Sequence, residues 1–161
     1  MLSLYWGIYL IYQGISQSPP AGCYMMDDER LTEIIREHEG VRLFPYVDTL
    51  GKLTIGVGHN LTDNGISLIT VDAILAEDIS ISKRELDKEY PEWCDLTEDR
   101  QIVLVSMVFN MGMPTYKKFV KFWAALRAAE YDIAADEMLD SRWRKQVKNR
   151  AVELAGMMRR G

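Results

Sequence analysis

Between Glu39 and Thr54 the chain runs EGVRLFPYVDTLGKLT, and three of its side chains have types and spacing suited to acid–base chemistry. Glu39, followed by Gly40, falls where an apolar-faced helix should end. Asp48 stands nine residues later in a turn-forming DTLG, and the Thr54 hydroxyl six further on in an alternating strand. Two carboxylates carried on different elements can face each other across a cleft, one protonated and one ionised. Acid hydrolysis of a glycosidic bond needs such a pair. The residues alone describe, more simply, an ordinary capped helix followed by a solvated hairpin.

The elements around this stretch are mostly helical. Asp27 or Asp28 caps a helix in which Leu31, Ile34 and Ile35 recur at helical spacing, ending at Glu39-Gly40. Val41 to Val47 and Lys52 to Gly58 are expected as two strands around the DTLG turn, with Leu53, Ile55 and Val57 alternating. A polar TDNG turn precedes Ser67, the expected N-cap of a long helix that runs to about Glu89 and stops at Tyr90-Pro91. A further helix, apolar enough to be central, runs from Thr97 through Val105, Met107 and Phe109 to Gly112. Shorter helices are expected at about 116–128, 132–140 and 147–159.

At 161 residues and 48% hydrophobic, the chain can bury a core as one domain or two small lobes. Its net charge of −5 argues against broad nucleic-acid binding. The charge is unevenly spread. Glu85 to Asp99 holds seven acids and one Lys, a local −6, whereas Ser141 to Gly161 holds seven Lys/Arg and one Glu, a local +6. Both can be plain solvated surface, and the basic end can also face an anionic polymer. The two cysteines, Cys23 and Cys94, have no metal spacing and are expected as free thiols.

Residues 1–26 carry no charge. Leu2 to Ile15 is apolar and aromatic-rich, yet shorter than the roughly twenty residues of a stable span, and it lacks the basic start of an export signal. The SQSPPAG that follows has linker composition. Three readings compete for this segment: a weak membrane anchor later released, a cleaved export signal, or an extension without a role. The domain proper is expected to begin near Met26.

Two motifs now become specific enough to name a family. The first is E-G-x-R-L…Y-x-D-T-x-G…T-I-G-x-G-H, from Glu39 to His59. The second runs from Met107 to Arg150: MVFNMG, then Phe119, SRW at Ser141–Trp143, and Asn149-Arg150-Ala151. On these the chain resembles the phage-type lysozymes (muramidases), most closely the T-even bacteriophage type, over nearly all of 28–158. The resemblance implies an α+β, mainly helical, lysozyme-like two-lobed fold. A small β-hairpin lobe at about 40–66 would be linked by the long helix to a helical lobe at about 90–161, which also takes the first helix.

By the same resemblance Glu39 would be the general acid, Asp48 the ionised base or stabiliser, and Thr54 the holder of a water, giving inversion. Phe109 and Asn110 match positions that line the family's substrate cleft. Asn60, Phe122 and Glu137 match three further substrate-contacting positions, all with residues that differ from the T-even type. His59 would pair with Asp78 and Arg150 with Glu39 as structural ion pairs, and Trp143 is expected as a packing residue. No metal or cofactor is implied.

Two departures stand out. The loop between His59 and Ser67 is much shorter than in the T-even type, and this chain is acidic where that type is basic. The function implied is an endolysin. It would hydrolyse the β-1,4 bond between N-acetylmuramic acid and N-acetylglucosamine in peptidoglycan and so lyse the host. The partner would be the bacterial wall rather than nucleic acid, and the protein a monomer. It would wait in the host cytoplasm, or transiently at the inner membrane through its N-terminus, before acting on the wall from the periplasm. The alternatives are hydrolysis of a related aminosugar polymer such as chitin, and an inactive wall-binding or phage structural module.

Overall fold

Helix α1 (Asp28–Glu39) begins where Asp27 accepts the Arg30 N–H at 3.0 Å, satisfying one of the donors a helix start leaves free. The computed structural model describes residues 27–161, and this helix is the first element among them. Strands β1 (Arg42–Val47), β2 (Leu53–Gly56) and β3 (His59–Asn60) follow as an antiparallel sheet in the order β1-β2-β3. The β1–β2 register pairs Tyr46 with Thr54 and Val47 with Leu53, with an irregularity between Arg42 and Tyr46. The Arg42 guanidinium lies over the Tyr46 ring at 4.2 Å.

The TDNG segment is more than the expected turn. Leu61–Asn64 forms one helical turn, α2, because Asn60 ends β3 and caps it by accepting the Asp63 N–H. Gly65, at φ 60°, closes it. The chain divides here into two compact units, one ending at Gly65 and the other from Ile66 to Gly161.

The second unit opens with α3 (Leu68–Glu89), capped by Ser67 as expected. Tyr90-Pro91 stops it in a 3₁₀ turn, Pro91–Asp95, that buries Trp93. Next come α4 (Glu98–Met111), α5 (Met113–Tyr116), α6 (Val120–Arg127), α7 (Tyr131–Leu139), α8 (Arg142–Val147) and α9 (Asn149–Arg160). The expected helix at 116–128 is thus preceded by a separate turn, and α8 was not expected at all. Ser141 starts α8 by accepting the Arg144 N–H, and Lys148, at φ 49°, breaks it from α9. Helix α4 is central, with Val103, Leu104, Met107 and Val108 buried against Leu86, Phe122, Met138, Ala151 and Met158.

The architecture is α+β and mainly helical, with a small three-stranded sheet, as the resemblance implied. Cys94 is an exposed thiol, and Cys23 lies outside the described residues. Among the described residues no helix is long and apolar enough to cross a membrane, and residues 1–26, with the readings made of them, lie outside that description.

Candidate active site

Glu39 is the last residue of α1. Gly40, at φ 71°, ends the helix in a conformation that side chains rarely adopt, and its N–H closes on the Arg36 carbonyl at 2.9 Å. The Glu39 carboxylate reaches over the turn between β2 and β3. A Cβ on Gly58 would lie 3.8 Å from Glu39 Oε2, so any side chain there would stand against the acid.

Asp48 is held by its own turn. Its Oδ1 accepts the Leu50 and Lys52 N–H groups, both at 2.8 Å, while its own N–H donates to the Lys52 carbonyl at 2.9 Å. These bonds favour the charged carboxylate. The Asp48 carboxyl is accordingly lowered from its ordinary value, first by the Lys52 N–H and further by Leu50, Thr54 and the Lys52 charge, against a desolvation that raises it. Oδ2 carries no backbone donor and faces Thr54.

Thr54 is 3% exposed, the one polar residue of the sheet that is fully buried. Its Oγ1 lies 3.4 Å from Asp48 Oδ2 and 3.2 Å from the Lys52 carbonyl. The hydroxyl has one hydrogen, and both contacts are long. It is fixed in place yet keeps capacity to bond a water beside Oδ2. The first unit therefore brings an ionised carboxylate and a buried hydroxyl together on one hairpin, with a second carboxylate at the end of the preceding helix.

His59 Nε2 lies 2.6 Å from the Gly65 carbonyl, a bond that ties β3 to the end of α2. The Asn60 side chain is engaged at both ends, accepting the Asp63 N–H at 3.0 Å and donating to Asp63 Oδ2 at 2.9 Å. Sequence reasoning missed Lys52, Thr62 and Asp63, which surround this hairpin. An Asp followed two residues later by a free N–H in DTLG is a signature of the turn that holds Asp48, and it was legible.

The remaining candidates lie in the second unit and divide between two hollows. Phe109 and Arg150 line one of about 500 Å³, with Leu75, Ile79, Ile102 and Val105. Phe122 and Glu137 line another of about 680 Å³, with Lys118, Lys121, Arg142 and Trp143. Phe122 presents little to that hollow, being 1% exposed, whereas Glu137 stands at its rim 3.8 Å from Lys121 Nζ. Asn110 connects to the second hollow through Trp143, whose Nε1 donates to Asn110 Oδ1 at 2.8 Å. Trp143 is buried, so it packs and orients rather than offering a ring face. Asp78 lies exposed on α3.

The family model for phage lysozyme matches residues 36–161. The chain belongs to the phage lysozyme family. It is 33% identical to the endolysin of Salmonella phage P22, over 74% of this chain and 83% of that one. It is 24% identical to a probable T4-type lysozyme 2 of Dictyostelium discoideum, over 81% and 94%. It is also 29% identical to the pre-baseplate central spike protein Gp5 of Enterobacteria phage T4, over 75% of this chain but only 26% of that protein's length.

Proposed function

We propose that this chain is a lysozyme that hydrolyses the β-1,4 bond between N-acetylmuramic acid and N-acetylglucosamine in peptidoglycan, as an endolysin in host lysis. The observation that carries the proposal is the Asp48–Thr54 pair, an ionised carboxylate with one oxygen free of backbone donors beside a buried hydroxyl. Glu39 protonates the leaving oxygen. Asp48 activates a water held by Thr54, which attacks from the opposite face, so the anomeric configuration inverts. Phe109, Asn110 and Glu137 of the second unit, and Asn60 of the first, contact sugar as the family resemblance implies, whereas Phe122, 1% exposed, packs in the core. The enzyme acts as a monomer on the wall from the periplasm.

The test is release of reducing ends from purified peptidoglycan, with anomeric analysis of the products. Loss of release in Glu39→Gln and Asp48→Asn, with inverted product, supports the mechanism; retained configuration overturns the role of Asp48. A chain starting at Met26 is proposed to fold and cleave walls. Fractionating cells that express the full and shortened forms decides between a weak inner-membrane anchor in residues 1–26 and a segment without a role.

One observation favours a second reading, a phage structural module, because one relative is a baseplate spike protein. A purified chain that binds walls but releases no reducing ends would establish it.

A further inference from the structure

Strand β3 is only two residues long, and its ladder with β2 stops at the Thr54–Asn60 pair. The next N–H along β2, that of Leu53, would be left without a partner on that side. It donates instead to the Thr62 Oγ1 at 2.9 Å. One residue further, Lys52 Nζ meets Asp63 Oδ1 at 2.9 Å, and Asp63 is itself held by both ends of the Asn60 side chain. The single helical turn α2 thus prolongs the sheet by two side-chain rungs where the backbone ladder has ended.

Those rungs land on the residue that governs the hairpin. The Lys52 N–H donates to Asp48 Oδ1, and the Lys52 carbonyl accepts both the Asp48 N–H and the Thr54 hydroxyl. The Lys52 carbonyl shares a peptide plane with the Leu53 N–H, so a small displacement of the Lys52–Leu53 backbone would disturb these bonds together. The Lys52–Asp63 pair is roughly half exposed, so it adds little to stability. Its effect is on direction, because it draws Lys52 towards α2 while Thr62 pins the neighbouring residue.

We propose that Thr62 and Asp63 are positioning residues for the hydrolysis, clamping Lys52 and Leu53 so that the Lys52 backbone holds Asp48 and Thr54 in register. This rests on the reading of Asp48 as catalytic. The clamp gives the short turn after His59 a part in catalysis without any contact with substrate. Displacement of a reacting group by a fraction of an ångström to an ångström is enough to slow a reaction by about ten- to a hundredfold.

The test compares wild type with Thr62→Val, Asp63→Ala and the double variant, all in the full chain. Two quantities are read: kcat and KM on soluble wall fragments, and the titration of the Asp48 carboxyl by carbon NMR. The two possible actions of Asp63 on Asp48 differ in sign. Removing a negative charge would by Coulomb's law alone lower the Asp48 titration. Losing the clamp weakens the Lys52 N–H bond, the largest cause of its depression, and raises it. The expected result is an upward shift in the double variant, a kcat lower by about tenfold and a KM changed by less than about twofold. Thr62→Ser, which keeps the hydroxyl, restores both quantities in the Thr62 position. An Asp48 titration that stays put or moves down overturns the clamp, even if kcat falls. Asp48→Asn serves as the separate control: if it keeps full activity the functional reading fails, while the titration still decides whether the clamp exists. Where Thr62→Val fails to fold, Asp63→Ala alone carries the same sign test.

Discussion

The two compact units are held together by different forces. In the first, the β1–β2 hairpin leaves Leu43, Phe44 and Leu50 at 80%, 83% and 81% exposure, and Thr54 is its one fully buried side chain. Its order comes from hydrogen bonds: the Asp48 turn, the Asn60 cap and the Thr62 and Asp63 rungs. In the second, a contiguous apolar core from Leu86 to Met158 is closed by the aromatic group Tyr116, Phe119, Phe122 and Trp123. Stability is concentrated in the helical unit, and the groups proposed for bond cleavage are concentrated in the polar one. A hydrogen-bonded hairpin suits that task, since each bond fixes a direction, whereas apolar packing fixes mainly a volume.

This division can be broken most sharply at Glu39. Glu39→Gln is expected to lower wall hydrolysis by about 100- to 10,000-fold, since an amide keeps the shape but delivers no proton. The thermal midpoint should stay where it is. Near-normal activity would remove Glu39 from the mechanism, and a lost fold would show that the first unit is not stabilised as described.

The reverse experiment is made in the core. Leu104, fully buried on α4, is expected on Leu104→Ala to cost about 2–5 kcal/mol of unfolding free energy through lost burial and a residual cavity. Urea unfolding measures the cost, and the specific activity of the folded fraction should be preserved. A matching loss of activity in the folded fraction would show that the two units are not separable in this way.

Tyr116 sharpens the comparison from the other side. Its hydroxyl is fully buried and meets no protein partner, an exception in a unit otherwise stabilised by apolar contact. Tyr116→Phe should stabilise the protein by about 1 kcal/mol. Burial also pushes the Tyr116 phenol well above its ordinary value. The sign follows from linkage: the folded state resists ionisation, so stability is intact below the ordinary tyrosine value. It falls as pH rises beyond that value, because only the unfolded chain ionises freely. Chemical denaturation across alkaline pH should show this limb in the wild type and a flatter one in Tyr116→Phe.

The smallest expected effect is at Asp48. Its lowered carboxyl makes a contribution that is present above the unfolded value and lost as pH falls through the lower folded one. The acid limb of activity should therefore lie below the ordinary aspartate range and move upward when Asp48 loses a donor. An acid limb at the ordinary value would mean that the turn bonds do not persist in solution.

Much of this was legible in the chain itself. Asp27, Ser67 and the stop at Tyr90-Pro91 mark helix boundaries through contacts three or four residues apart, and DTLG between alternating strands marks the hairpin. The motif from Glu39 to His59, together with the second from Met107 to Arg150, was sufficient to suggest the family. The turn at Leu61–Asn64 was legible only in part. Asn60 has the residue type of a cap, but a polar TDNG run describes a loop equally well.

What only the tertiary structure decided are the bonds between residues that local periodicity does not relate. Trp143 reaches Asn110 across 33 positions, and Arg100 reaches the Met158 carbonyl across 58. Thr62 takes the Leu53 N–H because β3 happens to end one residue too soon. Capping and turn preferences act within a few bonds of the backbone, so residue type and spacing express them directly. The direction of a side chain towards a distant partner depends on how whole elements pack, and that is set by the core as a unit rather than by any one stretch of sequence.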